Sequence, residues 1–263
     1  MFNKAIPILA VVLLVGSAGA WYWWARIAST PEPLEQVGGA QVPTDPELPM
    51  PVTTVAGAPT LPTLADSDTP FDAALLALPG AQALGSLLRP QNMIRHLVAT
   101  VDNLPRHKLA VELRPLEATG GSLLVSGGDL QANLDERNGA RYTPAVQILA
   151  NLDMHALNDL YRHYYPLFQR AYEDLGYPQK SFNERLVAVI DHLLETPHPP
   201  LPLALARPKV FWEFADPDLE GRSAGQKLML RVGPENRGKV ERKLRELRAL
   251  LATSAAAPTR TKP

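Results

Sequence analysis

Hydrophobic and polar positions divide the chain into an apolar N-terminal stretch, a proline-rich stretch and a long amphipathic remainder. Residues 5–24 contain no charged side chain, and a helix of about 20 apolar residues is long enough to cross the hydrocarbon core of a bilayer. Aromatic side chains close the stretch, as they do at membrane–water boundaries. They are Trp21, Tyr22, Trp23 and Trp24. The pattern predicts a transmembrane anchor within residues 1–28.

A cleaved signal peptide is the alternative, because Ala18-Gly19-Ala20 fits the small-residue pattern of a cleavage site after Ala20. The aromatic cluster favours the anchor, since each ring finds one wet and one apolar side at an interface. The terminal amine and Lys4 precede the span, whereas only Arg26, followed by acidic residues, lies after it. The positive-inside rule therefore predicts a single-pass protein of the bacterial inner membrane with its C-terminal domain in the periplasm.

Residues 29–70 form the proline-rich stretch. They contain nine prolines, six acidic residues and no aromatic residue, lysine or arginine. Such a segment buries too little apolar surface to offset the chain entropy lost on folding, and its acids repel one another. The composition predicts a disordered, extended linker behind the anchor.

Apolar residues recur mainly at helical spacing over residues 71–251. Pro144 directly after Thr143 predicts that a helix begins there, because proline suits the first turn. Pro166 predicts a kink or a new segment within the following long helix, since it removes a backbone donor.

Two segments have the pattern of β structure. Residues 126–129 are turn formers between apolar runs and predict a hairpin, and residues 210–214 predict a further strand that pairs with it. The predicted fold class is therefore α+β: a single compact domain, mainly α with a small antiparallel β element, followed by a disordered tail at 252–263.

Composition excludes several kinds of site. The chain has no cysteine, which rules out disulfides, cysteine-ligated metals and thiol nucleophiles. Its formal net charge of −1 argues against a protein that coats nucleic acid. The sequence also lacks the nucleophile-elbow, phosphate-loop and zinc-helix motifs. We therefore expect no metal, no cofactor and no nucleic-acid partner, and we assign no catalytic residue.

Several consecutive strings resemble a known bacterial family. They are VATVDNLPRHKL, RYTPAVQILANLD, LYRHYYPLFQRAYEDLGYP, FNERLVAVIDHLLETP and FADPDLEGRSAGQKLMLRVGPEN. The family is the membrane-anchored Domain of Unknown Function 3014, and the similarity covers roughly residues 66–250. The resemblance implies a proteobacterial source and an anchored, single-domain layout, and it implies no activity.

Five of the seven tyrosines fall within residues 161–177, together with Arg162 and Arg170. Rings beside guanidinium groups are typical of a surface that stacks on a sugar or anchors a side chain of a partner. Core packing is the alternative for tyrosines on the main apolar stripe. The candidate contact residues are Tyr161, Arg162, Tyr165 and Arg170, of which Arg162 and Tyr165 lie off that stripe.

The last predicted helix carries six cations against two acids between residues 237 and 248. Its Arg242 and Arg245 are candidate contacts for phosphate, anionic lipid or an acidic partner. A solvated helix face with i,i+4 ion pairs is the alternative.

The acidic turn at residues 216–221 begins like a calcium-binding loop, with oxygen-bearing side chains at positions one, three and five and glycine at position six. Lys227 then stands where the final glutamate ligand belongs. A turn with capping carboxylates is therefore the preferred interpretation.

These patterns favour a non-enzymatic binding or scaffold module of the cell envelope, which contacts an envelope protein or polymer at a distance set by the linker. A hydrolase-like envelope enzyme is the second hypothesis, with Glu213 or Asp216 paired to a histidine such as His155, His163 or His192. A structural subunit is the third, and it predicts a large exposed apolar patch.

Overall fold

The computed structural model describes residues 61–89, 91–108, 110–117, 122–128 and 131–255. The predicted anchor with its aromatic cluster, most of the predicted linker and the end of the tail lie outside this part of the chain. None of the helices within it is both long and apolar enough to cross a bilayer.

Eight α-helices and two small sheets make up the described part. The helices are α1 (Asp68–Ala77), α2 (Met93–Asn103), α3 (Asn138–Ala150), α4 (Met154–Asp174), α5 (Phe182–Leu194), α6 (Pro217–Glu220), α7 (Ala224–Arg231) and α8 (Pro234–Ala255). The strands are β1 (Val125–Ser126), β2 (Asn133–Leu134), β3 (Leu205–Ala206) and β4 (Glu213–Phe214). Two 3₁₀ turns lie at Ala81–Leu84 and Val111–Leu113. A mainly helical fold with two antiparallel sheets confirms the predicted α+β class.

The main core lies among the longer helices. Helix α8 packs against α3, α4 and α5, and α2 packs against α4 and α5. The apolar stripes that the sequence places on α5 and α8 face inward, because residues three and four apart share one side of a helix. All of their members are buried: Phe182, Leu186, Val189, Ile190 and Leu193 on α5, and Val240, Leu244, Leu247 and Leu251 on α8.

Capping side chains mark the starts of α4 and α5. The Asp153 carboxylate accepts the backbone N–H of His155 at 2.9 Å, and the Ser181 hydroxyl accepts the N–H of Glu184 at 3.3 Å. Gly176, with φ of +101°, follows the end of α4 in the left-handed conformation that glycine adopts without strain.

Pro144, which was predicted to begin a helix, and Pro166, which was predicted to kink or divide one, both lie inside helices. The predicted start at Thr143-Pro144 is wrong, because α3 already begins at Asn138. Tyr142 is only 1% exposed, so its burial holds the preceding turn in helical conformation. Likewise, no new segment begins at Pro166 within α4. Core packing on both sides of each proline offsets the lost backbone hydrogen bond.

The β structure forms with a different partner from the one predicted. The expected hairpin is present, with Val125 opposite Leu134. However, β4 pairs with β3 rather than with the hairpin, and Leu205 lies opposite Phe214. The proline-containing segment at residues 196–208, between α5 and β4, supplies β3. It also contacts the hairpin, since the Leu205 N–H donates to the Ala132 carbonyl at 2.8 Å.

The folded body begins before the predicted boundary at residue 71. Helix α1 starts at Asp68, Ser67 is 1% exposed, and Leu61 and Leu64 pack against the main core. Because prolines and acids dominate residues 29–70, the sequence pattern does not indicate that Leu61 and Leu64 are part of the core. Residues 61–70 thus belong to the body, whereas residues 29–60 lie outside the described part. At the other end, α8 continues past residue 251 to Ala255.

Candidate functional site

The tyrosine cluster forms part of the core. Tyr161 is 3% exposed, and its ring packs edge-to-face on Phe168, with the centroids 5.4 Å apart. Tyr164 and Tyr172 are also buried. Burial raises the pKa of Tyr161 well above its usual value and that of Tyr172 to about 12, so both hydroxyls stay protonated. Tyr161 therefore has to be removed from the predicted contact surface, because it lies on the inner stripe of α4.

Tyr165 is half-buried and already engaged. Its hydroxyl donates to Gln169 Oε1 at 3.2 Å and lies 3.4 Å from the Ser181 hydroxyl. Gln169 Oε1 also accepts the Phe182 N–H at 2.8 Å. These bonds tie α4 to the start of α5, which gives Tyr165 a structural role.

The arginines of α4 differ in their partners. Arg170 is exposed but pairs with Asp174 at 3.3 Å, one turn further along the helix. Arg162 is exposed and makes no ion pair or hydrogen bond within the described part of the chain. Of the predicted residues of α4, Arg162 is thus the one that retains a free charged group at the surface.

The cations of α8 are mostly paired, as expected for a solvated helix face. Arg245 donates to Glu241 at 3.1 Å, Lys239 to Glu235 at 2.6 Å, and Lys243 to Glu246 at 2.9 Å. Arg248 forms two bonds of 3.0 Å to Asp191, and Arg237 is only 8% exposed.

Arg242 is the exception on α8. It is exposed, and no partner for it lies within the residues that the structure describes. Of the two predicted contact residues of α8, Arg245 is therefore paired with Glu241, whereas the Arg242 guanidinium has no partner in the described part of the chain.

The acidic turn serves to cap a helix. Asp216 precedes α6, and its carboxylate accepts the Asp218 N–H at 2.9 Å. Lys227 donates to Glu220 Oε1 at 2.6 Å, which places a cation at this turn. Across the described ranges, no group of three or more His, Asp or Glu side chains is arranged to hold a metal ion.

His192 and Ser223 form a pair that resembles a catalytic base and nucleophile. His192 Nε2 lies 2.8 Å from Ser223 Oγ, and burial lowers the pKa of the imidazole. The same hydroxyl caps α7 by accepting the Gln226 N–H at 3.2 Å. The N–H groups of Ala224 and Gly225 donate to backbone carbonyls, so they are not available to an oxyanion. The pair therefore stabilises a helix end.

The carboxylates of the enzyme hypothesis do not meet a histidine within the described part. A different residue, Glu241, lies 3.0 Å from His198 Nε2. The opposite nitrogen, Nδ1, lies 3.2 Å from the Arg237 guanidinium, which can only donate. Both ring nitrogens are thus occupied by side chains of the body.

An apolar cavity of about 30 Å³ lies where α1, α2, α4 and α5 meet. Its lining includes Phe71, Leu97, Leu160 and Phe182. Cavities that bind a benzene-sized ligand are about 150 Å³. The cavity is therefore a packing gap of the core.

The connection between β3 and β4, residues 207–212, is an exposed cationic and aromatic surface that the sequence analysis did not identify. We call it the β3–β4 tip. Val210 is 57% exposed, and the Arg207 guanidinium lies over the Trp212 ring, 5.6 Å from its centroid. Two cations directly before consecutive apolar residues are the signal that the sequence offers, whereas the apolar run at residues 210–214 by itself predicts a strand.

Fold and surface together define a class: a helical α+β domain with a largely ion-paired surface and a few uncommitted cations. The chain belongs to the family described as "Protein of unknown function (DUF3014)", which matches residues 93–248. The resemblance noted in the sequence is thereby confirmed, and the proteobacterial source stays a prediction. No curated protein and no solved structure matches the chain.

Proposed function

We propose that this protein is a membrane-tethered binding module of the bacterial cell envelope, which contacts an acidic protein or polymer through Arg162 and Arg242. The contrast between these two arginines and their neighbours carries the proposal. Arg170, Arg245 and Lys239 each form an ion pair with an acid of the same helix. Arg162 and Arg242 have no partner in the described ranges.

An unpaired guanidinium is suited to binding an anion. It presents several donors in a planar fork, which matches the two oxygens of a carboxylate or phosphate. A partner that binds Arg162 or Arg242 breaks no existing ion pair, whereas binding at Arg245 would require the release of Glu241. The preferred partner is therefore anionic.

The proposed location rests on the sequence. The uncharged stretch at residues 5–24 supports a single membrane span, and the distribution of flanking charge supports a periplasmic body. A tether raises the local concentration of the body near envelope partners, so that a modest intrinsic affinity is sufficient.

Topology is tested by fusing alkaline phosphatase after residue 263 in a bacterial host. The proposal predicts an active phosphatase, because the enzyme needs the oxidising periplasm. A fusion that is inactive, with a green fluorescent reporter at the same position folding in the cytoplasm, contradicts the proposed side.

Binding is tested in the full chain with a photo-crosslinking amino acid placed close to the free arginines, at Asp159 and Lys239. We expect one defined envelope partner, and a several-fold loss of the adduct in Arg162→Glu and Arg242→Glu variants. Arg170→Glu is the matched control, since that arginine is also exposed but is paired with Asp174. Equal adduct in all three variants would overturn the assignment of the surface.

A further inference from the structure

The β3–β4 tip is distinguished by its charge. Residues 196–212 contain no aspartate or glutamate, and the tip itself carries Arg207 and Lys209. Both of these cations are exposed. The tip is therefore locally cationic, although the chain as a whole has a formal net charge of −1.

The apolar part of the tip lies between these cations and β4. Val210 projects into solvent with 57% of its surface exposed, and Trp212 is half-buried against the smaller core. A single exposed aliphatic side chain is common at protein surfaces, and here it directly follows an exposed cation. The same arrangement suits a membrane interface, where cations bind phosphates and apolar groups enter the acyl boundary.

Two internal contacts brace the tip. The Arg207 Nε donates to the Val210 carbonyl at 3.0 Å, and the guanidinium stacks over Trp212. The ends of the tip are joined where Ala206 pairs with Glu213. A preformed loop loses little conformational entropy on binding.

The aromatic faces discriminate between classes of partner. Stacking on a nucleobase or a sugar requires a free ring face. One face of Trp212 is covered by Arg207, and the buried Phe214 has the Arg231 guanidinium 5.5 Å from its ring centroid. Phe211 and Trp212 are half-buried, whereas residues 207–210 are exposed, so the fully exposed side chains of the tip are cationic and aliphatic apart from Pro208.

We propose that the β3–β4 tip binds anionic phospholipid at the surface of the membrane to which the chain is tethered. Arg207 and Lys209 contact lipid phosphates, and Val210, which follows Lys209, enters the interface beside them. This contact orients the body against the bilayer and leaves α4 and α8 to the partner. The inference rests on the proposed membrane tether, which supplies the high local concentration that such a small surface needs.

The absence of cysteine from the sequence allows site-specific labelling. The full chain with Val210→Cys, carrying an environment-sensitive fluorophore, is reconstituted into vesicles of phosphatidylcholine alone or with phosphatidylglycerol. We expect a blue-shifted emission and a several-fold lower quenching by acrylamide in the anionic vesicles. Leu175→Cys, an exposed position at the end of α4, is the matched control and should stay aqueous in both.

Charge dependence provides the second arm. Lys209→Glu in the Val210→Cys chain removes an exposed cation without disturbing the Arg207–Trp212 contact, and it should return the label to an aqueous signal. A label that is equally aqueous in both kinds of vesicle overturns the proposal. A label that is protected only by an added acidic polymer overturns it in favour of that polymer.

Flotation separates this inference from the tether on which it rests. A chain that does not float with phosphatidylcholine vesicles contradicts the tether. A chain that floats with both kinds of vesicle but keeps Val210 in water contradicts only the contact of the tip.

Discussion

At the scale of single residues, two aspartates of α1 lie near the start of α2. The Asp68 carboxylate of α1 accepts the N–H groups of Asn92 and Met93 at 2.7 and 2.8 Å. One turn further along α1, the buried Asp72 Oδ1 has no hydrogen-bond partner in the described part. Burial, and then the charge of Asp68, raises the pKa of Asp72 to about 6.

Asp72→Asn should stabilise the protein at neutral pH. Because the folded state raises this pKa above 3.8, Asp72 binds its proton more tightly in the folded chain, and its contribution to stability is lost as the pH rises through about 6. After allowance for solvent screening we expect a gain of about 1 kcal/mol near pH 8, or about 2–4 °C in Tm, and almost none near pH 4.

Thermal unfolding of the variant and the wild type at both pH values measures this difference. Burial lowers the pKa of His96 and His192, so their contributions are lost as the pH falls below about 6.5, but they affect both proteins equally. Asp159→Asn, at an exposed position of α4, is the control. A gain for Asp72→Asn that is the same at both pH values would contradict the assigned cause.

Gln169 is a residue whose importance the sequence does not reveal. Its side chain bonds to Tyr165, to the Phe182 N–H and to the Lys180 carbonyl. Gln169→Leu should cost about 1–3 kcal/mol, since it leaves backbone groups without partners. Gln169→Glu keeps the acceptor for Tyr165 and Phe182, but an ionised carboxylate cannot donate to the Lys180 carbonyl or to Glu173 Oε1. It should therefore lose more stability at pH 7 than at pH 4, where the new carboxyl can be protonated and donate again. Urea unfolding midpoints at the two pH values compare the variants, and a loss in Gln169→Glu that does not depend on pH would contradict the assigned hydrogen bonds.

At the scale of elements, the approach of α7 to its neighbours depends on a glycine. The Gly225 N–H donates to the Leu104 carbonyl at 2.9 Å. A Cβ at this position would lie 2.7 Å from Leu193 Cδ2 and 3.0 Å from the Leu104 oxygen. Helix α7 can therefore pack at this distance only because the side chain is absent.

Gly225→Ala should destabilise the protein by about 1–3 kcal/mol through overpacking. Gly238→Ala is a matched control within α8, where the added Cβ would meet only the flexible Arg242 side chain at 3.8 Å. There the higher helix propensity of alanine should stabilise by about 0.5–1 kcal/mol. Chemical unfolding measures both variants, and a change of the same sign in the two would contradict the packing argument.

At the scale of the whole molecule, the described body has two apolar cores of unequal size. The smaller core joins the two sheets to α6 and α7 through six buried residues, which are Ala132, Leu203, Leu205, Phe214, Leu219 and Leu230. The main core is far larger and includes the buried stripes of α4, α5 and α8. The strands are two residues long, so they add few backbone hydrogen bonds.

Hydrogen exchange should therefore show two levels of protection. The amides of β1 to β4 should exchange faster than those in the middle of α4 and α8, because less buried surface is lost when the smaller core opens. Mass spectrometry of exchanged peptides measures the difference. Uniform protection across both cores would show that the body opens only as one unit.

Apolar spacing predicted the helical character of the body, and the long helix around Pro166 and the last helix both form, as α4 and α8. Local sequence placed the start of α3 too late, because burial of Tyr142 outweighs the local signal of Pro144. It also proposed Tyr161 as a contact residue, although the helical stripe on which it lies faces inward. The free arginines were among the candidates, but sequence spacing alone did not separate them from paired ones.

The sequence by itself determined the family, the mainly helical class, and the contrast between an uncharged N-terminal stretch and an amphipathic body. These properties depend on composition and short-range periodicity, which involve only residues close together in sequence. Only the tertiary structure decided which strand pairs with β3, which arginines have acids beside them, and that Arg207, Lys209 and Val210 are exposed together on one tip. Those properties depend on contacts between segments far apart in sequence, and no local pattern records which segments meet.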